Sequence, residues 1–335
     1  MGRYPFLAMI PRYLEEHAAV LCPETIKGRE KQLQKIGRRL DELRKQGIIS
    51  TTDPRKLTRQ DALAIVTDMS AHGWKPSYLR MTVSVLKAYT DYCGNSVFGD
   101  LRARRLLPKS PEPNVETLTE KDLEKIQRGV EGMKGWQGEV ARFLCAMYPA
   151  TGLRPSELRR ARIQDVDIEN CEIHVVHPKG EGRYTSGRIA PILPAARETL
   201  RKYLDARLKY LAKNGIEQAE PLIPCVRGGK VSVYKTQGFV SLRRTMQKAA
   251  GVHFRFKDFR TSFAQRTIDL DPGLLSDVSK ALGHKTTVTT ERYYARIRDA
   301  PAIRRIQEAW AKADTQSLKA QFRLIDQKTQ LSGYA

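Results

Sequence analysis

A histidine and a tyrosine nine residues apart, His284 and Tyr293, form a pair whose types and spacing could do chemistry. His284 follows Gly283 at the end of a short helical pattern, and a threonine-rich run then offers N-caps for a second short helix that carries Tyr293. Two such groups can converge on one small target. The pair alone is weak evidence, because glycine–histidine turns and helically spaced tyrosines such as Tyr293 and Tyr294 also occur in ordinary cores.

Four basic residues earlier in the chain could serve the same target. Arg154 lies at a turn before a helix, and Lys179 lies at the predicted tip of a hairpin. Lys257 and Arg260 are three residues apart, on one face of a predicted helix. Each of them could also be a helix cap, a solvated turn residue or part of a surface stripe, so their order along the chain matters more than any single one.

The charge of the chain indicates what the target is. The 335 residues carry a formal net charge of +22, which attracts a polyanion and disfavours self-association. Nucleic acid is therefore the expected partner, and an anionic membrane surface is the weaker alternative. No run approaches the roughly 18 apolar residues of a membrane span, and no signal peptide is recognisable.

The five cysteines never occur in a C-x-x-C spacing. This pattern predicts reduced, structural thiols in an intracellular protein and no zinc site. We expect a cytoplasmic, nucleoid-associated protein, or one encoded by a virus or plasmid and acting inside the cell.

Attack on a DNA phosphodiester would use these residue types together. The transition state spreads extra negative charge over the non-bridging oxygens, which fixed cations must meet. Arginine suits this task because its planar fork binds two phosphate oxygens at once. A tyrosine can attack the phosphorus and hold the phosphate covalently, which stores the bond energy for rejoining. A lysine at a hairpin tip can reach the leaving oxygen.

The order of these residues resembles the tyrosine recombinase, or phage integrase, family over roughly residues 4–300. The motifs that carry the resemblance are TGLRPSEL with Arg154, HPKG with Lys179, FKDFRTSFA with Arg260, LGH with His284 and TTERY with Tyr293. Each motif alone is weak, but the combination is specific.

The resemblance implies a role for each residue. Tyr293 would attack the scissile phosphate to give a 3′-phosphotyrosine, and Lys179 would protonate the leaving 5′-oxygen. Arg154 and Arg260 would bind the non-bridging oxygens. His284 would hydrogen-bond the phosphate and help to position Tyr293. Either Glu157 or Asp165 would orient Arg154, and neither a metal nor a nucleotide cofactor is implied.

Two features depart from the family pattern. Lys257 stands where many members have a histidine, three residues before the second arginine, and a lysine is a poorer base near neutral pH unless its pKa is lowered. Tyr294 directly follows Tyr293 and would project about 100° around the helix from it. The spacing from His284 favours Tyr293 as the nucleophile, and the identity of the general base stays open.

The elements that must position these residues form two blocks. Helical patterns at residues 4 to about 93 predict a small basic bundle that contacts DNA. The second block mixes helices with a strand at 171–176 and a returning strand at 188–192, joined by a hairpin-like turn. The predicted fold is therefore mainly α with a small β-sheet, an α+β architecture that forms a two-domain DNA clamp.

We place the domain boundaries by composition. Residues 1–93 would be a helical, SAM-like core-binding domain, and 94–114, which are rich in proline and arginine, an extended linker. Residues 115–300 would be the catalytic domain. In the remaining tail, 301–335, Ile303, Ile306 and Trp310 form an amphipathic pattern that could dock on its own body or on a neighbouring protomer.

Three hypotheses follow. The first is a site-specific recombinase or integrase that works as a tetramer on paired DNA sites and is a monomer or dimer when free. The second is a relaxing enzyme like the type IB topoisomerases, with the same chemistry but no paired site. The third is a sequence-specific DNA-binding protein that has lost catalysis.

Overall fold

The computed structural model describes residues 5–107, 117–176, 178, 187–293, 303 and 306–311; for Arg292 and Tyr293 it describes the backbone only. The described residues form two compact units, one on either side of residues 108–116. Each unit has its own hydrophobic core.

The first unit is a bundle of helices. They are α1 (Pro5–Ala8), α2 (Ile10–Ala18), α3 (Pro23–Lys45), α4 (Arg59–Ala71), α5 (Pro76–Tyr92) and α6 (Val97–Ala103). A proline occupies the first turn of α3 and of α5, where a missing N–H costs no hydrogen bond. Thr58 and Asp61 form a capping box at the start of α4.

The segment 94–114 is not extended throughout, as the sequence analysis expected. The chain does turn at Gly94, but residues 97–103 then form α6. Val97, Phe98 and Leu101 are buried in the core of the first unit. The linker expectation is wrong for this stretch because three apolar side chains at helical spacing outweigh the basic composition around them.

The second unit contains most of the remaining helices and all of the described strands. Its helices are α7 (Glu120–Glu131), α8 (Gly135–Thr151), α9 (Pro155–Arg160), α10 (Arg197–Lys213), α11 (Thr236–Ala250), α12 (Phe256–Leu270), α13 (Leu275–Leu282) and α14 (Thr287–Tyr293). Thr119 and Asp122 form a capping box at the start of α7. Helix α12 contributes ten buried residues, which makes it the central helix of this unit.

A small antiparallel sheet flanks these helices. Strands β1 (Val166–Asp167), β2 (Glu172–Val175) and β3 (Arg188–Pro191) pair in that order, with Ile173 opposite Ala190 and Val175 opposite Arg188. Ile173 and Ala190 point into the core. A separate hairpin, β4 (Pro224–Arg227) and β5 (Lys230–Val233), was not predicted; glycines 228 and 229 form its turn with positive φ angles.

The expected fold class is confirmed, since the chain is mostly helical with small antiparallel sheets. In the part of the chain that the structure describes, we find no helix both long enough and apolar enough to cross a membrane.

Candidate active site

Arg154 lies at the turn between α8 and α9, and its partner is Glu157 in the first turn of α9. The carboxylate of Glu157 accepts from the backbone N–H of Arg154 at 2.8 Å and from its guanidinium Nη1 at 2.8 Å. Asp165, the alternative partner, instead accepts from the backbone N–H of Arg162. Glu157 therefore orients Arg154, while the Arg154 side chain stays 23% exposed and accessible to a ligand.

Glu157 also accepts two hydrogen bonds from Arg188, the first residue of β3. Nη1 and Nη2 of Arg188 lie 3.1 Å and 2.8 Å from the two carboxylate oxygens. Burial acts to raise the pKa of Glu157, but hydrogen bonds and positive charge from Arg188, together with Arg154, outweigh it and lower the pKa to about 2. The carboxylate is thus a buried anion shared by two arginines.

Arg260, on α12, is buried between the C-terminal ends of two other helices. Its Nη1 donates to the carbonyl of Gly152, which caps α8, at 2.8 Å. Its Nη2 donates to the carbonyl of Leu282, the last residue of α13, at 2.6 Å. A cation is favoured at both helix ends because the carbonyl dipoles point outward there, so these bonds fix the guanidinium in place.

His284 immediately follows α13 and contacts Arg260. The helix ends in a Schellman motif, with Gly283 left-handed at φ 68° and the N–H of His284 donating to the carbonyl of Ser279. Nη2 of Arg260 lies 3.1 Å from His284 Nε2, and His284 Nδ1 lies 2.8 Å from the hydroxyl of Thr290 in α14. The ring therefore joins the buried arginine to the helix whose last residue is Tyr293.

The imidazole of His284 is neutral in this state. Burial lowers its pKa, and the positive charges of Arg260, Arg154 and Arg188 lower it further, to about 4. Since Arg260 donates to Nε2, the ring proton lies on Nδ1 and is donated to Thr290.

Two glycines allow this close approach. A Cβ on Gly152 would lie 2.5 Å from Phe263 and 2.9 Å from Leu282, and a Cβ on Gly283 would lie 2.9 Å from Cδ of Arg188. Both residues also have positive φ angles, of 62° and 68°. The turns that present Arg154 and His284 therefore require glycine for space and for backbone conformation.

The structure describes the other predicted site residues less fully, or places them at the surface. Lys257 lies in the first turn of α12 and is exposed, whereas Arg260 one turn later is buried. Lys179 and Tyr294 lie outside the described residues. Tyr293 is the last residue of α14, and the structure describes its backbone but not its side chain. The structure thus brings Arg154, Arg260 and His284 together with Glu157.

Sequence reasoning missed Arg188 and Thr290. In the sequence, Arg188 is only a charged residue at the start of a strand whose pattern is otherwise that of a half-buried strand. Thr290 was one of several threonines proposed as N-caps, but it lies inside α14 and is fully buried. The available signal was that Thr290 lies three residues, about one helical turn, before the proposed nucleophile Tyr293.

This arrangement defines a class of protein. A mostly helical unit that holds two arginines and a histidine beside a helix ending in tyrosine has the fold of tyrosine recombinase catalytic domains. The family model described as the phage integrase family matches residues 116–300, more than half of the chain. The chain belongs to this family, and the expected enzyme class, a tyrosine-type site-specific recombinase, is confirmed.

Individual relatives agree with this family. The tyrosine recombinase XerA of Pyrococcus furiosus is 25% identical over 237 residues, which cover 70% of this chain and 76% of XerA. The tyrosine recombinase XerC of Lactobacillus delbrueckii subsp. bulgaricus is 32% identical over 157 residues, covering 45% and 49% of the two chains.

Solved structures share the fold. The Tn1549 transposon integrase in complex with circular intermediate DNA matches with a TM-score of 0.60 at 18% identity, over 90% of this chain and 99% of the integrase. A lambda integrase dimer bound to a COC′ core site also gives a TM-score of 0.60 at 18% identity, over 87% and 78% of the chains.

Proposed function

We propose that this chain cleaves and rejoins specific sites in double-stranded DNA with Arg154, Lys179, Lys257, Arg260, His284 and Tyr293 as its catalytic residues. The observation that carries the proposal is the position of the buried Arg260 guanidinium. It lies at the C-terminal ends of α8 and α13 and contacts His284, which is bonded to the helix that ends at Tyr293. DNA is the partner class, as in the DNA complexes of similar structures.

The proposed reaction transfers a phosphoryl group twice. The phenolic oxygen of Tyr293 attacks the scissile phosphorus and loses its proton, while the bond from phosphorus to the 5′-oxygen breaks. Lys179 gives a proton to the leaving oxygen, so the products are a 3′-phosphotyrosine and a free 5′-hydroxyl. Attack by a 5′-hydroxyl of a second strand reverses these steps and restores the tyrosine.

Arg154 and Arg260 would meet the charge that develops on the non-bridging oxygens. Both are held before DNA arrives, Arg154 by Glu157 and Arg260 by two helix-end carbonyls. Donors fixed in advance need no reorganisation in the transition state, which is the main source of electrostatic catalysis. A third arginine near the site, Arg188, has its guanidinium bonded to Glu157 and to the carbonyl of Ala281.

Lys257 is the proposed replacement for the family's usual histidine. It lies in the first turn of α12, three residues before Arg260, and is exposed. Its exposed ammonium would bind a phosphate of the DNA. Acceptance of the Tyr293 proton would be a second role, open to Lys257 once DNA covers and dehydrates it.

We also propose that the protein acts as a tetramer on paired sites, with its tail bound by a neighbouring protomer. Ile303, Ile306 and Trp310 are more than half exposed. A groove of about 520 Å³ between α7, α8, α10 and α12 offers apolar contacts, including Leu123 and the 85% exposed Leu270. Its rim also carries glutamates, which suit the basic tail.

The decisive experiment is covalent trapping on DNA. Duplexes with a random central window and single-strand nicks are incubated with the protein, because a nick lets the short 5′-hydroxyl strand diffuse away and blocks rejoining. Adducts that survive denaturation are isolated, the attached DNA is sequenced and the modified residue is mapped by mass spectrometry. We expect an adduct on Tyr293, and light scattering of the trapped complex to show more than one protomer per DNA.

Matched variants make the trapping result specific. Tyr293→Phe should abolish the adduct, whereas Tyr294→Phe should retain it. Arg154→Ala and Arg260→Ala should bind DNA but not cleave it, because binding is spread over many phosphates. An adduct on Tyr294 would correct the nucleophile. Binding without any adduct, in wild type as in Tyr293→Phe, would favour a DNA-binding protein without catalysis, and a persistent 1:1 adduct would favour a relaxing enzyme.

A further inference from the structure

The side chain of Arg188 joins three separate elements of the second unit. It leaves β3, donates from Nη1 and Nη2 to both oxygens of Glu157 in α9, and donates from Nε to the carbonyl of Ala281 in α13 at 2.7 Å. The side chain is only 9% exposed, and that of Glu157 is 1% exposed. Arg188 thus spans from the turn that presents Arg154 to the turn that presents His284.

We infer that Arg188 is a positioning residue, which holds Arg154 and the Gly283–His284 turn in one fixed geometry for the phosphoryl transfer. The inference rests on the proposed function. Arg188 does not itself need to touch DNA, because its fork and its Nε all bond to protein groups. It acts through Glu157 on one side and through the last turn of α13 on the other.

The last turn of α13, which precedes His284, depends on two arginine side chains. The carbonyls of Ala281 and Leu282 have no partner within the helix, as is general for the last turn. Arg188 binds the first of them and Arg260 binds the second. The aliphatic part of Arg188 also packs against Gly283, where an added Cβ would lie 2.9 Å from its Cδ. The position of His284 is therefore set jointly by these two arginines.

Arg188 also shares the carboxylate of Glu157 with Arg154. The buried carboxylate faces both guanidinium groups, and Arg188 occupies both of its oxygens. Without Arg188, Arg154 could bind both carboxylate oxygens, which would draw its guanidinium away from a phosphate. A lysine cannot replace Arg188, because one ammonium cannot span two carboxylate oxygens and a carbonyl in a planar fork.

Single-turnover cleavage by Arg188→Lys and Arg188→Met, on the DNA selected by trapping, tests the inference. We expect the first-order cleavage rate to fall at least roughly tenfold in both variants, since small displacements of positioned groups have effects of this size. The dissociation constant for DNA should change by less than about twofold, because many phosphates contribute to binding. Arg201→Lys and Arg201→Met, at an exposed position of α10, are the matched controls and should cleave like wild type.

Two further measurements separate positioning from a loss of fold. In a double-mutant cycle, the loss of cleavage rate in the Arg188→Met, Glu157→Gln double variant should be smaller than the product of the two single losses, since both changes remove the contact between Arg188 and Glu157. In imidazole NMR, the pKa of His284 should rise in Arg188→Met and stay unchanged in Arg201→Met, because a nearby positive charge has been removed.

The outcomes are distinct. Cleavage by both Arg188 variants within about twofold of wild type, or additive losses in the cycle, would overturn the inference while leaving the proposed function intact. So would a loss of rate that matches a loss of folded protein in thermal unfolding. Failure of wild type itself to form an adduct would instead refute the proposed function.

Discussion

At the scale of single residues, the protonation state of His284 decides what the site can do. The ring accepts from Arg260 and donates to Thr290, and its pKa lies at about 4. A neutral ring adds no positive charge beside Arg154, Arg188 and Arg260, so three guanidinium groups can be held near one another. The approach of a phosphate would introduce negative charge and favour the protonated ring, which could then donate to the phosphate.

The pH dependence of stability follows from the same pKa. An unfolded histidine has a pKa of about 6.5, so between pH 4 and 6.5 the unfolded chain binds more protons at this residue than the folded chain does. The contribution of His284 to the free energy of unfolding is therefore present above pH 6.5 and is lost as the pH falls towards 4. Urea unfolding at pH 7 and pH 5 should show this loss.

The control for that prediction is His284→Gln, which keeps a polar side chain but cannot titrate. Its free energy of unfolding should depend less on pH between 7 and 5 than that of wild type. His253→Gln, at an exposed histidine of the same unit, should retain the wild-type dependence. Equal slopes in wild type and His284→Gln would show that the folded pKa is not depressed.

At the scale of elements, one side-chain contact links the end of α13 to α14. The hydroxyl of Thr290 is the partner of His284 Nδ1, and Thr290 is fully buried. We predict that Thr290→Val, which keeps the side-chain shape but removes the hydroxyl acceptor, slows single-turnover cleavage by roughly tenfold or more. The reason is that α14 loses its hydrogen bond to His284. DNA binding should be nearly unchanged.

Thr289→Val is the matched control, since it makes the same change one position earlier in α14, at a residue that is only partly buried. It should cleave within about twofold of wild type. Equal rates for Thr290→Val and wild type would mean that the contact between α13 and α14 does not position the nucleophile.

Local signals in the sequence predicted most of these elements. Helix starts are marked by chemistry within a few residues, at Pro23, Pro76 and the capping boxes of Thr58 and Thr119. Arg154 and His284 could be selected because glycine precedes each within two residues and signals a turn. The contacts of Arg188 could not be predicted, because Glu157 and Ala281 lie 31 and 93 residues away.

The two errors have different origins. Helix α6 was hidden in a basic, proline-containing stretch, and the β4–β5 hairpin lies between two strong helical patterns. Burial of Val97, Phe98 and Leu101 against distant parts of the chain outweighs the local composition of α6. The hairpin is mostly exposed, and its Gly228–Gly229 turn was a local signal that the sequence analysis overlooked. Residue types indicated the chemistry, whereas tertiary contacts decide how the site is held together.

At the scale of the whole molecule, charge governs the encounter with DNA. The net charge of +22 is spread over both units, and α3 alone exposes Lys27, Lys31, Lys35, Arg38, Arg44 and Lys45. Other basic residues of this helix are already engaged: Arg39 pairs with Asp68, and Arg29 donates to the hydroxyl of Tyr13. The exposed members are the ones available to phosphates.

We predict a steep dependence of DNA binding on salt. Neutralising six to ten phosphates releases enough counterions to weaken binding by roughly a thousandfold or more between about 50 and 200 mM salt. Fluorescence anisotropy with a duplex of fixed length measures this, and a neutral, isosmotic concentration of sucrose is the control. A dissociation constant that hardly changes with salt would contradict the view that cationic surfaces dominate binding.

The bond between His284 and Thr290 has a practical consequence. The chain has six histidines, so selective nitrogen-15 labelling of imidazoles gives a spectrum simple enough to assign by substitution. One ring, neutral at pH 5, would stand apart from any exposed ring that charges at that pH. In the proposed tetramer, the intensity of this signal would report the fraction of protomers in which His284 is hydrogen-bonded to Thr290 of α14.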